Sequence, residues 1–406
     1  MKLTDCEYEI LDHVPADDNS WNDWKDSVRA ESWFSCGDDS TLAILPSSAN
    51  TRAFFHDLEG TQPIIRMTTC PIRNTLTRRF PRFRHSSTEA KTKHTDYDII
   101  DNVAPEDNTW KEWKEQIRIE EWNNDDHSVL ELIPRIGSTR VVLAREKQDG
   151  KFIGSVVWNE NEDMAYIGFY ILRPEYRGLG IGSQIWKRAL QRIPTGYTIS
   201  LRAVDYMASR YKAADTPIEG PEIRSQRIRV QDLIDIARPY LLPNFNTKLV
   251  SALSPKEYQA MLNYDAEVTG RDRSDLLRQN FDLNFTEGAI LLESSNDVHG
   301  FASMTPTGGS NSHLFKLAPL YAQGLPEAFT VIYPLLEKIQ AEDSEAIILI
   351  NTWGSSVGEQ VLRPLLEEKC ILSKICAFTL LSKPYENPTD FSRMFIAHGH
   401  SVHWEA

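Results

Sequence analysis

Three glycines at alternate positions carry the first chemical signal in this sequence: Arg177-Gly178-Leu179-Gly180-Ile181-Gly182. Upstream, Tyr166 to Leu172 is rich in aromatic and β-branched types and reads as a buried strand. Arg173-Pro174 ends that strand, because proline keeps the preceding residue extended and has no N–H for a ladder. Downstream, Ser183 to about Arg192 carries a helical pattern. Strand, glycine turn and helix start together offer free backbone N–H groups to an anion, with the helix dipole behind them. The missing Cβ atoms let a phosphate come close. Two phosphate motifs fail on spacing. The dinucleotide fingerprint is G-x-G-x-x-G where this chain has G-x-G-x-G, and the Walker loop needs a lysine where Ser183 follows Gly182. An ordinary glycine-rich turn is the alternative for these six residues alone, and the flanking elements weigh against it.

The elements that must hold this turn can be read in order. Tyr97 to Val103 forms a short strand and an acidic turn follows; a helix then begins near Asn108-Thr109, with Glu112 placed as a capping-box partner. Trp110, Trp113 and Ile117 share one face of that helix. Asp126–Ile133 suits a second short helix, and Arg140–Arg145 and Phe152–Trp158 suit strands around a turn at Gln148–Gly150. Asn159 to Asp163 closes a hairpin into the strand that carries the glycine turn. Thr198–Val204 is a further strand and Met207–Ala214 a short helix. The result is a mixed sheet with one parallel crossover around the helix after the turn.

The start of this block occurs twice. Tyr8 to Trp33 recurs as Tyr97 to Trp122 with twelve of 26 positions identical, including the pairs Trp21/Trp110, Trp24/Trp113 and Trp33/Trp122. From Phe34 to Asp96 no clear periodicity is visible. Eight Lys/Arg against one acid, Glu89, lie between Arg66 and Lys93. That stretch reads as a poorly ordered spacer in preference to a basic arm for nucleic acid.

Residues 166–186 resemble the acyl-CoA loop of the GNAT N-acetyltransferases. Arg177-x-x-Gly180-x-Gly182 fits that family's [QR]-x-x-G-x-[GA], Leu172-x-Pro174-x-Tyr176 precedes it as in many members, and the element order is the family's own. The resemblance implies that backbone amides of Arg177, Gly178, Leu179, Gly180, Ile181, Gly182 and Ser183 hold the pyrophosphate of acetyl-CoA, with no metal taking part. It implies that Tyr170 and Leu172 line the pantetheine channel. Ala208-Ser209-Arg210-Tyr211-Lys212 sits where the family carries a tyrosine aimed at the thioester sulfur, so Tyr211 matches by position, with Tyr206 as competitor. A phenol, protonated at neutral pH, can donate to a departing thiolate. Two departures stand out: Asp205 lies near the place of the usual Asn, and Ala213-Ala214 replaces the usual Gly-Phe. Glu160, Glu162 and Asp163 on the hairpin are base candidates, although such residues more often form a solvated turn, and family members often deprotonate the amine through water.

Residues 219–246 read as a junction with Pro221, Pro239 and Pro243, and Pro217 just before it. A second αβ pattern follows. Thr247–Ala252 is a strand, a helix starts at Ser254-Pro255, Gly288–Glu293, His299–Met304 and Leu314–Leu320 are strands, Glu327–Ile339 is a helix and Ala346–Ile350 a strand. Asp265, Gly270, Asp272, Arg273, Leu276 and Leu277 resemble the D-x-x-x-x-G-x-D-R-x-x-L-L segment of YitH-type acetyltransferases. Arg271 and Arg273 read as surface ion pairs with Asp272, Asp275 or Glu267. No [QR]-x-x-G-x-[GA] occurs in this half. The fold class is therefore α/β (mixed α+β): tandem GNAT folds, each a mixed, mostly antiparallel twisted sheet with flanking helices. Residues 1–96 hold the truncated duplicate and spacer, 97–245 the acetyltransferase domain and 246–406 a degenerate second one that helps wall the acceptor site.

Composition narrows the function. Across 406 residues, 44 basic against 58 acidic side chains give a net charge of −14, which disfavours nucleic acid and anionic membranes as partners. No apolar run approaches membrane-spanning length, and the segment from Met1 to Glu7 lacks a signal-peptide core. Five scattered cysteines suggest neither disulfides nor zinc. A cytoplasmic N-acetyltransferase is expected, passing the acetyl group of acetyl-CoA to a primary amine by direct attack in a ternary complex. The amine acceptor could be a small molecule or a protein, and the acidic balance favours a cationic one. A non-catalytic acyl-CoA-binding sensor or scaffold is the alternative.

Overall fold

The computed structural model describes residues 9–12, 52–55, 96–120, 127–293, 297–307 and 313–399. The basic spacer and the N-terminal copies of the tryptophans lie outside them. The chain divides into two units, Met1–His94 and Thr95–Ala406. In the first unit β1 (Glu9–Asp12) pairs antiparallel with β2 (Arg52–Phe55). Strand β2 lies beyond Trp33, in the stretch without clear sequence periodicity.

The second unit opens with β3 (Tyr97–Asp101), α1 (Thr109–Ile119), α2 (His127–Leu132), β4 (Thr139–Glu146), β5 (Phe152–Asn161) and β6 (Met164–Leu172). It continues through α3 (Ile181–Arg192), β7 (Thr198–Ala203), α4 (Asp205–Lys212), β8 (Ile218–Arg229) and α5 (Val230–Ala237). The same series then recurs. It comprises β9 (Asn246–Leu249), α6 (Pro255–Thr269), α7 (Ser274–Phe281), β10 (Glu287–Leu292), β11 (Val298–Thr307), β12 (Leu314–Ala322), α8 (Leu325–Glu342) and β13 (Ile347–Trp353). A short helix α9 (Arg363–Glu368), β14 (Lys374–Leu381) and β15 (Met394–Ile396) complete it.

One sheet runs through both halves in the order β3-β4-β5-β6-β7-β14-β8-β13-β12-β11-β10-β9, with β15 added against β12. The halves exchange strands: β14, late in the chain, pairs antiparallel with β7, and β8, from the first half, pairs antiparallel with β13. All neighbours are antiparallel except β6/β7 and β12/β13, the crossovers around α3 and α8. The region read as a proline junction is thus a central strand and a helix. Gly220-Pro221 and the charged residues Arg224, Arg227 and Arg229 hide β8, and the proline is tolerated because the β8/β14 register slips nearby.

Helix α1 buries Trp110, Trp113 and Ile117, the face expected from their spacing. Trp113 meets Phe169 of β6 edge-on with centroids 5.0 Å apart, and this core also takes in Leu276 and Leu283 from the second half. The cap differs from expectation. Asp107, one residue before Asn108, accepts from Thr109 N at 2.8 Å and from the Thr109 hydroxyl at 2.5 Å, while Glu112 accepts from Phe152 N at 3.0 Å and so ties the helix to β5. At α6 the anticipated cap is present as a full Ser254–Glu257 capping box. Partial burial opposes charge on Asp107, but hydrogen bonds from Arg145 and Thr109 outweigh it and hold the carboxyl down to about 2. With its folded value below its unfolded one, Asp107 stabilises the fold above about pH 4, and that contribution disappears as pH falls through about 2. Asp107→Ala should cost about 1 kcal/mol. A melting-temperature series from pH 7 to pH 2 should show its deficit shrinking as the acid limb is reached.

Candidate functional site

The parallel pairing of β6 with β7 is short. It covers Met164↔Thr198 to Ile167↔Leu201, after which β6 runs on to Leu172 without β7 beside it. On its other side β6 stays paired with β5 as far as Leu172↔Gly154. The strands therefore part, leaving peptide groups of β6 facing a gap just below the glycine turn. Behind this stretch Trp113 packs edge-on against Phe169, so the strand remains supported although the β7 ladder has ended.

A short 3-10 turn, Pro174–Tyr176, joins β6 to Arg177. Tyr176 is buried and donates its hydroxyl to Glu146 of β4; burial, then that carboxylate, push its phenol up to about 12. Gly178 and Gly180 have φ of +82° and +81°, conformations an L side chain rarely adopts, and a Cβ on either would meet nothing within 4 Å. Open space therefore lies over the turn. Gly182 is the reverse case: a Cβ there would stand 2.4 Å from the Tyr170 hydroxyl. Gly180 caps α3, and the first recorded bond into the helix runs from Gln184 N to Gly180 O, so the amides of Ile181, Gly182 and Ser183 lie ahead of it. Arg188, at 2.6 Å from Asp101, and Arg192 clamp α3 to β3, and the Arg188 hydrogen bond leads the causes that lower the Asp101 pKa.

The residues singled out in the sequence do not all serve alike. Arg177 bonds its own amide to Pro174 O at 3.1 Å, and its guanidinium turns back to Leu172 O at 3.0 and 2.9 Å and to Glu120. It braces the turn from behind. The Ile181 side chain is core, whereas Leu179 and Ser183 are exposed. Half-buried Tyr170 and Leu172 sit on the α3 side of β6, and burial raises the Tyr170 pKa against the opposing charge of Arg210. Tyr211 is half-buried on α4, with its ring 5.4 Å from that of Trp186, which in turn lies 5.2 Å from Tyr170. Trp186 was not foreseen, because one aromatic in a helical pattern looks like ordinary core.

The hairpin carboxylates lie at the opposite end of β6 from the glycine turn, and each has a cation. Glu160 pairs with Arg140 at 3.2 Å and accepts from Trp158 Nε1 at 3.0 Å. Glu162 and Asp163 lie 3.6 and 3.7 Å from Arg271. The expectation of surface pairs for Arg271 and Arg273 is overturned. Both are buried, Arg271 bonds the Tyr385 hydroxyl, and Arg273 grips Asp265 through Nε at 2.8 Å. Their partners come from other elements, beyond the reach of local charge spacing.

The second half offers an internal comparison. Strands β12 and β13 pair in parallel over only Leu314↔Ile347 to Lys316↔Leu349 and then part in the same way. Here the gap is filled by the chain itself: β15 pairs with β12 at Leu320↔Ile396 and Tyr321↔Met394, and Ala322 N donates to Arg393 O at 2.9 Å. Met394, Phe395 and Ile396 are all buried. Helix α8 also lacks a glycine turn. Pro326 removes one amide from its start, and the Glu327 carboxylate lies 2.9 Å from where a Gly324 Cβ would be, so the helix dipole already faces a negative charge.

Residues 107–206 match the acetyltransferase (GNAT) family. An uncharacterised Caenorhabditis elegans protein, F36G3.2, is 33% identical over 310 residues, which are 76% of this chain and 98% of that one. The chain belongs to the GNAT acetyltransferase superfamily. Among solved structures, a putative acetyltransferase from Pyrococcus horikoshii has a similar fold at 14% identity and TM-score 0.50, covering 79% of this chain and 100% of that one. A tandem GNAT protein from the clavulanic acid biosynthesis pathway overlaps 72% of this chain and 100% of its own, at 13% identity and TM-score 0.49. Among the described residues, no His/Cys/Asp/Glu group could hold a metal ion and no helix is long and apolar enough to cross a membrane.

The Gly182–Tyr170 contact gives a direct check on this GNAT turn. Gly182→Ala should lower folding stability by roughly 1–3 kcal/mol, the cost of overpacking. Adding Tyr170→Phe removes the clashing oxygen and should restore most of that stability, as read by denaturant unfolding.

Proposed function

We propose that this GNAT protein is an N-acetyltransferase whose first half transfers the acetyl group of acetyl-CoA to a primary amine. The observation that carries the reading is the gap between β6 and β7 opening directly below a glycine turn with free space above Gly178 and Gly180. Amides from Gly178 to Ser183 would hold the pyrophosphate, and Tyr170 and Leu172 would line the channel below. Bound there, acetyl-CoA supplies an activated acyl carbon and a sulfur leaving group. The acceptor nitrogen forms its bond to that carbon as the carbon–sulfur bond breaks. The electron pair leaves with sulfur, the Tyr211 hydroxyl gives sulfur its proton, and the surplus proton of the amine passes to water. Water is the natural carrier because Glu160, Glu162 and Asp163 are already ion-paired. Solvent then returns a proton to Tyr211.

Release of free thiol from acetyl-CoA across a panel of amines, cationic ones included, tests the reading. Amine-dependent thiol with a matching acetylated product is expected, whereas tight CoA binding with no thiol from any amine would favour a sensor or scaffold. Tyr211→Phe should lower kcat about a hundredfold at saturating substrate, the scale of general-acid catalysis. A wild-type kcat in that variant would return Tyr211 to a packing role.

A further inference from the structure

We infer that Trp186 is the positioning residue that sets the direction of the Tyr211 phenol; this rests on the acid role proposed for Tyr211. Trp186 lies on the second turn of α3, the helix that begins at the glycine turn, and it reaches across to α4 by two contacts. Its ring packs on that of Tyr211 at 5.4 Å with 35° between planes, and its indole N–H donates to Asp215 Oδ2 at 2.8 Å. Asp215 stands four residues beyond Tyr211, in the turn that ends α4. That turn is itself fixed to Tyr211, whose carbonyl accepts from Ala214 N at 3.1 Å, Thr216 N at 3.2 Å and Thr216 Oγ1 at 3.3 Å. Trp186 thus holds both the ring and the backbone turn of one residue. Tyr170 of β6 also packs against it at 5.2 Å, so moving Trp186 disturbs the proposed channel wall as well.

The chemistry explains why such a hold matters. Proton transfer to the departing sulfur requires the phenol oxygen within hydrogen-bond reach, and an ångström of misplacement in an active site can cost about a hundredfold. A tyrosine near a helix end has several staggered side-chain states open to it. The stack and the Asp215 anchor select one of them.

A double-mutant cycle between Trp186→Ala and Tyr211→Phe, with kcat and calorimetric CoA affinity read for each variant, tests this. Trp186→Ala should lower kcat at least about tenfold. Its CoA affinity should stay within about twofold of wild type, and the double variant should be no slower than Tyr211→Phe alone, since a residue acting through Tyr211 has nothing left to position. Trp186→Phe, which keeps an aromatic face, and Asp215→Asn should each recover part of the rate lost in Trp186→Ala; they also serve if the alanine variant fails to fold. In protein with labelled tyrosine, the Tyr211 ring signal should lose the ring-current shift of the neighbouring indole in Trp186→Ala. Fully additive losses, or affinity falling in step with kcat, would overturn the inference and leave the acid role standing. A wild-type rate in Tyr211→Phe would remove both.

Discussion

A parallel strand pair that parts partway along its length leaves a row of backbone donors and acceptors facing a gap, and buried peptide groups must find partners. Much in the second unit follows from that constraint, because it arises twice. Between β12 and β13 the chain closes the gap with its own β15. Between β6 and β7 the gap opens beneath a glycine turn built on two left-handed glycines. One fold thus contains both outcomes of the same hydrogen-bond problem, a gap closed by a strand of the chain itself and a gap left open.

Holding the open slot requires rigidity on every side. Trp113 backs β6 where its second ladder has ended, Arg177 staples the turn to Leu172 and Glu120, and Arg188 and Arg192 clamp α3 to β3. The far wall, β7, is braced by the other half, since β14 pairs along its outer edge. Strand exchange therefore makes the second half a structural partner of the open slot even though its own slot is filled. The last segment of the chain serves both ends, with β14 bracing one gap and β15 closing the other.

What could be read in the sequence was local. The glycine turn, the strand before it and the Trp110–Trp113–Ile117 face are each encoded within a dozen residues, and each lies where its pattern placed it. Strand β8 was hidden because its buried residues alternate with arginines and a Gly-Pro step interrupts it. Strand β15 is only three residues long, and no periodicity can mark it as the filler of a gap made by residues some seventy positions earlier. Buried Arg271, beside the exposed carboxylates Glu162 and Asp163, and the buried pair of Arg273 with Asp265 follow tertiary proximity, so a reading by nearest charges chose the wrong partners. Trp186 had the same difficulty: its significance lies in Tyr211 and Asp215 on another helix.

The contrast between the two gaps is open to a direct count. Calorimetric titration of CoA into the full chain should give one molecule bound per chain, and Gly180→Glu, which puts a bulky anion on the turn, should give none. Two molecules per chain, or one retained in Gly180→Glu, would contradict the assignment of the open gap as the donor slot and of β15 as the permanent occupant of the other.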